Sequence, residues 1–199
     1  LETFQALKLS YDHSRIVAGT SREDIPKVFS VDHGKVNELL ELGLSDKRSL
    51  LLHEAMEVLE HYGVPTVKSA VAASGMEARN IAENIGYPVA MKLISEDVLH
   101  KSDVGGVELN LRDGGTVEHT YDKMMARIHE SYPKARLDGV MIQSMVAGGR
   151  ELIVGGRQDK QFGPVVLVGM GGIFVEIFKE ATIRVAPISE REARAMIDE

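Results

Sequence analysis

Lys92 is the residue whose type and setting ask most directly for chemistry. It stands within Pro88 to Ile94, P-V-A-M-K-L-I, an otherwise apolar run. A strand with period two puts Val89, Met91 and Leu93 on one face and Ala90, Lys92 and Ile94 on the other. An unpaired ammonium is costly to bury. Either the strand lies at a sheet edge with the lysine in solvent, or Lys92 meets an anion. Downstream, Val107, Leu109 and Leu111 alternate with Glu108 and Asn110 as a return strand, after the loop His100-Lys101-Ser102-Asp103-Val104-Gly105-Gly106. Hairpin loops usually hold about 2–5 residues. A longer one closed by two glycines reads as a flap over a ligand. Gly105 and Gly106 would let backbone N–H groups approach phosphate oxygens, and Lys92 and Lys101 would add positive charge. His100 offers hydrogen bonding to phosphate or covalent phosphoryl transfer through a ring nitrogen. A solvated loop with a surface histidine is the plain alternative.

Three further residues fit a nucleotide site. Gln143 and Met145 follow an apolar strand, where backbone could hydrogen-bond an adenine edge with Met145 against the ring. Glu151, after Gly148-Gly149-Arg150, could meet a ribose or pair with an arginine. Arg157 and Asp159 are placed to pair with each other. Other phosphate motifs fail. In Gly169-Met170-Gly171-Gly172 the third glycine of G-x-G-x-x-G would fall on Phe174, and no G-x-x-x-x-G-K-[ST] occurs. Glu176 and Glu180 could serve Mg²⁺, but a bare pair of carboxylates leaves the metal ligands unassigned. The remaining histidines have no zinc-ligand spacing.

These residues need elements to hold them. Residues 1–46 read as a linker with short amphipathic pieces, one of them through Val36, Leu39 and Leu40. From Lys47, Leu51, Ala55, Val58, Leu59 and Tyr62 share a helical face that ends at Gly63. A strand over 67–72 follows, and Ser74 to Glu77 has the capping-box pattern of a helix carrying Ala78, Ile81, Ala82 and Ile85. After the hairpin, Thr116 is expected to cap a helix through Val117, Tyr121, Met124, Met125 and Ile128. Strands are expected over 140–145, 151–154, 164–169, 173–177 and 183–186. Ser189 to Glu192 then repeats the capping box. The expected architecture is α/β (α+β): a first lobe over 47–137 and a second over 138–199, meeting near Ile142-Gln143.

The 199 residues are 44% hydrophobic and 27% charged, an ordinary globular balance. The formal charge of −7 disfavours nucleic acid as a partner. Absence of cysteine excludes thiolate chemistry and fits a reducing cytoplasm. No apolar run of roughly 18 residues marks a membrane span.

Taken in order, K-L-I-S-E-D-V-L-H-K-S-D-V-G-G-V-E-L-N-L, G-R-E-L-I-V-G-G-R-Q-D-K-Q-F-G-P and G-M-G-G-I-F-V-E-I-F-K-E resemble the ATP-grasp domain of NDP-forming acyl-CoA synthetases. These include the ADP-forming acetate–CoA ligases and are related to the succinyl-CoA synthetase β subunit. The resemblance covers about residues 47–199. It implies an ATP-grasp fold with nucleotide held between two α/β lobes, ATP or ADP and Mg²⁺ as cofactors, and a phosphohistidine reaction. Lys92 matches the family's first-lobe nucleotide lysine, residues 100–106 its phosphate-side loop, Gln143 to Met145 its adenine hinge, and Glu151 an acid opening the next strand. His100 matches a loop histidine proposed as a second phosphoryl relay in some members.

The implied partners are CoA-binding and ligase domains, in the same chain or a partner subunit, within a homo-oligomer. Two other readings compete: the ATP-grasp part of a protein lysine acetyltransferase, and a non-catalytic nucleotide sensor. The family's later metal-binding segment and its principal phosphohistidine domain do not match anything between Leu1 and Glu199, so the fold is expected to be incomplete at the C-terminus. Residues 1–199 alone are therefore expected to form no acetyl-CoA from acetate, CoA and ATP, and turnover at family-like rates would overturn that expectation.

Overall fold

A computed structural model describes residues 31–98, 100–171 and 181–198. Among them the element order is α1 (His33–Ser45), α2 (Leu52–His61), β1 (Ser69–Ala72), α3 (Gly75–Ile85), β2 (Val89–Ile94), β3 (Val107–Leu111), α4 (Gly114–Ser131), β4 (Gly139–Ser144), β5 (Leu152–Asp159), β6 (Gly163–Met170), β7 (Ala181–Val185) and α5 (Glu190–Asp198). Residues 1–30 of the expected linker and the strand over 173–177 lie outside the described residues, as do Glu176 and Glu180. Among the described residues, those up to Ala147 form one compact unit, and those from Gly148 belong to a second.

The first unit is built on an antiparallel sheet ordered β1-β4-β2-β3. This arrangement moves the expected lobe boundary. The strand after Asp138-Gly139 does not open a second lobe. β4 inserts between β1 and β2, and the units divide after Ala147. Nothing local in the sequence marks this, because β4 finds its partners some 50 to 70 residues back in the chain, pairing Met141 with Lys92 and Gln143 with Ser69.

The core follows from β2's alternation. Val89, Met91 and Leu93 are fully buried in one cluster with Val140 and Ile142 of β4, Ala78 and Ala82 of α3, and Val117, Met124 and Ile128 of α4. Each such side chain contributes roughly 1.5–3 kcal/mol when withdrawn from water. The helices start where local chemistry satisfies their free N–H groups. Ser74 Oγ accepts from the Glu77 N–H at 3.2 Å while Glu77 accepts from the Ala73 N–H at 2.8 Å. Ser189 and Glu192 cap α5 reciprocally. For α4 the cap is Asp113, not Thr116: its carboxylate accepts from the Thr116 N–H at 2.8 Å and from the Thr116 hydroxyl at 2.7 Å. The Gly114-Gly115 pair disguises that start, since glycine is a poor helix former. Those bonds, the backbone one foremost, hold the Asp113 carboxyl below its usual range.

The apolar face expected of α2 is only half covered, and Leu59 and Tyr62 are exposed. The helix's one buried residue is Glu54. Arg48 grips its carboxylate bidentately at 2.7 and 2.8 Å, and the Leu51 N–H donates to it at 2.6 Å. The second unit is a three-stranded antiparallel sheet ordered β5-β6-β7, followed by α5, which buries Met196. The expected Arg157–Asp159 pair forms at 2.9 Å within β5.

Two predictions follow from these contacts. Gly139 has φ +111°, and a Cβ there would collide with the Ala72 carbonyl oxygen of β1. Gly139→Ala should cost more than about 2 kcal/mol by urea denaturation, whereas Gly155→Ala, which meets open space, should be near neutral. The Arg48 hydrogen bonds, against the opposing effect of burial, hold the Glu54 carboxyl below its ordinary value. This contribution is present above the ordinary carboxylate pKa and is lost as pH falls through the lowered one. Arg48→Met should lower the melting temperature at pH 7 by about 5 °C and move the acid-unfolding midpoint to higher pH. An unshifted acid midpoint would show that the pair is not coupled to folding.

Candidate functional site

The sheet positions Lys92 in a way that removes the plain reading of it. β2 lies between β4 and β3, so Lys92 is on an interior strand, not an edge. The face opposite the helices carries Ala90, Lys92 and Ile94 of β2. The register adds Met141 and Gln143 from β4, Val71 and Ser69 from β1, and Val107 from β3. Ala90, Ile94 and Met141 are buried there, and Lys92 is half-buried among them. Its ammonium makes no hydrogen bond or ion pair with the described residues. Gln143, a diagonal neighbour on the same face, carries a buried side-chain oxygen that also has no partner. Diagonal positions on paired strands lie about 7–8 Å apart. A half-buried cation beside a buried unsatisfied acceptor is an unbalanced polar pair, and such groups are rare unless something else completes them. An anionic ligand bearing hydrogen-bond donors, such as a nucleotide, meets both needs.

The return strand departs from strict alternation. Val89 pairs with Leu111 but Met91 pairs with Glu108, so β3 carries one extra residue. The bulge falls at Leu109-Asn110. Asn110 adopts φ +66°, and Leu109 is turned out to solvent, 59% exposed. The freed Asn110 N–H points to the Met145 sulfur at 3.1 Å. Met145, expected beside an adenine ring, is thus tied by its side chain to the bulge, and its own N–H reaches the Pro88 carbonyl at 3.4 Å. Nothing in the periodicity of the sequence announced this link.

The loop between β2 and β3 is folded on itself. The Gly106 N–H donates to the Lys101 carbonyl at 2.6 Å and the Gly105 N–H to the Ser102 carbonyl at 3.2 Å. The two glycine amides expected to meet phosphate are therefore engaged inside the loop in this conformation. Glycine is needed for another reason: Gly105 has φ +69°, and a Cβ there would strike the Arg127 guanidinium. His100 and Ser102 are exposed and Lys101 is half-buried, leaving these side chains as the loop's available groups. Lys92, His100, Lys101, Ser102, Gly105, Gly106, Gln143 and Met145 all belong to the first unit. Glu151 belongs to the second. It is exposed just before β5, and its carbonyl accepts from the Gly171 N–H at 2.8 Å. Among the described residues, no group of three or more acidic, histidine or cysteine side chains is placed to hold a metal.

Comparison with known proteins gives the family. The family described as ATP-grasp domain matches residues 43–199. The ADP-forming acetate–CoA ligase I of Archaeoglobus fulgidus is 45% identical over 170 residues, 85% of this chain and 25% of that protein. The β subunit of the ADP-forming acetate–CoA ligase I of Pyrococcus furiosus is 42% identical over 165 residues, 83% of this chain and 71% of the subunit. The chain thus spans about a quarter of the first relative and most of the second. Among solved structures, the dinucleotide-forming acetyl-coenzyme A synthetase 1 of Ca. Korarchaeum cryptofilum, in complex with coenzyme A, Ca-AMPCP and HgCl⁺, superposes with a TM-score of 0.77 at 42% identity, covering 81% of this chain and 71% of that one. The same protein with coenzyme A and Mg-AMPPCP, its phosphohistidine segment pointing towards the nucleotide-binding site, matches with a TM-score of 0.69 at 39% identity, over 82% of this chain and 70% of that one. With its antiparallel sheets, its helix-backed strand bearing Lys92 and these matches, the chain belongs to the ATP-grasp domain family, on the branch of the ADP-forming acid–CoA ligases.

Proposed function

We propose that this chain is the nucleotide-binding part of an acid–CoA ligase that interconverts acyl-CoA, ADP and phosphate with carboxylate, CoA and ATP. In the acyl-CoA-consuming direction, phosphate displaces the CoA thiolate to give an acyl phosphate. A histidine of the CoA-binding part takes the phosphoryl group and releases the carboxylate. The phosphohistidine then gives that group to the terminal phosphate oxygen of ADP. The observation that carries the reading is Lys92: a half-buried ammonium on an interior strand, beside the buried Gln143 oxygen, neither of which has a partner among the described residues.

Each residue has a role in this scheme. Lys92 neutralises nucleotide phosphate charge from the sheet, and Lys101 and Ser102 do so from the loop. Gln143 and Met145 lie along the base. His100, exposed at the start of the loop, is the candidate second phosphoryl carrier, and Glu151 is a candidate nucleotide contact. Mg²⁺, when bound, would supply charge neutralisation at the transferring phosphoryl group. The CoA-binding and ligase domains are supplied by the rest of the chain or by a partner subunit. The absence of cysteine is compatible with a cytoplasmic setting, and no helix among the described residues is long and apolar enough to cross a membrane.

Calorimetry on the full-length protein tests the binding role. Lys92→Met keeps the side chain's bulk and removes its charge, and should weaken ADP binding by at least about tenfold, roughly 1.4 kcal/mol. A wild-type protein that bound neither ADP nor ATP would sink the ligase reading. His100→Asn separates carrier from bystander in the same protein: turnover should fall by about a hundredfold or more while ADP affinity changes little, and unchanged turnover would remove the carrier role.

A further inference from the structure

The loop of residues 100–106 is held from outside itself by a residue that the nucleotide reading does not use. Arg127 lies on α4 between the buried positions Met124 and Ile128. One of its terminal nitrogens donates to the Gly105 carbonyl and reaches the Glu108 carboxylate at 3.3 Å. Glu108 sits at the start of β3, where the bulge keeps it on Met91's side of the sheet, the side on which α4 packs. The guanidinium is therefore aimed by an acid on the strand that follows the loop, and it fastens the carbonyl at the loop's turn.

The turn has few other anchors. Val104 packs against the core from the loop, and the Leu93 N–H donates to the Gly106 carbonyl at 2.8 Å. On the remaining side, Asp103, Val104, Gly105, Arg127, Ser131 and Tyr132 border an open recess of about 630 Å³. Without Arg127 the turn keeps the Val104 contact and its backbone bonds at Gly105 and Gly106, but no side chain from outside the loop holds the Gly105 carbonyl on the recess side. Gly105 completes the arrangement, because any larger residue there would occupy the space of the guanidinium.

We propose that Arg127 is a positioning residue for phosphoryl transfer: through the Gly105 carbonyl it sets the place of the loop that presents His100 and Lys101, without touching the nucleotide. Arg127 is suited to this task because its guanidinium is planar and rigid and the two N–H groups of one terminal nitrogen point in fixed directions, one to a carbonyl and one to a carboxylate, where a lysine ammonium is less well pre-organised. The proposal rests on the reading of residues 100–106 as the phosphate-side loop. It predicts a division of effects. Lys92 and Gln143 are held by the sheet and do not depend on Arg127, so contacts to the base and Lys92's share of the phosphate contacts persist. What is lost is the loop's contribution at the phosphate end.

The test uses the full-length protein with Arg127→Met, Arg127→Lys and Glu108→Gln. Trypsin reads the loop directly at Lys101–Ser102, with Lys92–Leu93, inside buried β2, as the control for global opening. Arg127→Met should speed cleavage at Lys101–Ser102 at least tenfold without speeding cleavage at Lys92–Leu93, and Arg127→Lys and Glu108→Gln should lie between it and wild type. In ligand titrations adenosine affinity should stay unchanged while the advantage of ADP over adenosine falls by about threefold or more, and kcat should drop further than KM rises. Wild-type cleavage rates at Lys101–Ser102 in Arg127→Met, or an unchanged ADP advantage, would overturn the proposal. Should Arg127→Met fail to fold, Glu108→Gln decides it on the same two readouts. A wild-type protein without ADP affinity would defeat the nucleotide reading instead, and the trypsin rates alone would then judge whether Arg127 holds the loop.

Discussion

Strand β2 can take only one register. Val89, Met91 and Leu93 are fully buried beneath α3 and α4, and at roughly 1.5–3 kcal/mol each they outweigh the cost of half-burying a single ammonium. A slip of one residue would turn all three to the other face and drive Lys92 into the apolar cluster. The core thereby fixes the lysine. It is carried to the opposite face beside Gln143, on strands flanked by neighbours on both sides, and its position does not rely on any loop.

The same pairing shapes the return strand. With Lys92 opposite Val107 and Val89 opposite Leu111, β3 has one residue more than β2 can match. The surplus appears as the bulge at Asn110, and the bulge has two effects. It leaves the Asn110 N–H free to meet Met145 at the end of β4, and it turns Glu108 toward α4, where Arg127 is. One irregularity in the ladder thus links the end of β4 to the bulge and aims the cation that holds the loop.

Much of this could be read from residues alone. The period of β2, the capping boxes at Ser74 and Ser189 and the Arg157–Asp159 pair depend on neighbours a few positions apart, and the sequence displays such neighbours directly. The place of β4 could not be read, because strand order is decided by distant pairing. The Asp113 cap was hidden by two glycines that resemble a break in the chain. Gly105 and Gly106 were recognisable as positions where glycine is required, but the neighbours that require it were not: at Gly105 an arginine twenty-two positions away in sequence fills the room a Cβ would need, and at Gly106 the Lys101 carbonyl does. Arg127 itself carries no local signal, being a half-exposed arginine on an amphipathic helix.

The loop is also held at its root. Ser95 Oγ donates to the Arg136 carbonyl at 2.8 Å, the Arg136 N–H donates to Asp97 at 2.7 Å, and Glu96 lies 3.8 Å from both Arg48 and Arg136. The ion pairs at that distance contribute little individually, but the two hydrogen bonds fix where the chain leaves β2. Root and tip are therefore fastened to different elements, the root to the turn before β4 and the tip to α4. Between these fastenings lie His100, Lys101 and Ser102, whose side chains make no bond with the described residues. On the proposed reading, a loop held at both ends and by its own backbone bonds, with these side chains unengaged, would present them at low conformational cost, while the strands beneath would hold the rest of the nucleotide. Under that proposal binding and transfer would rest on separable parts of the first unit: the sheet's register would set the one, and Arg127 the other.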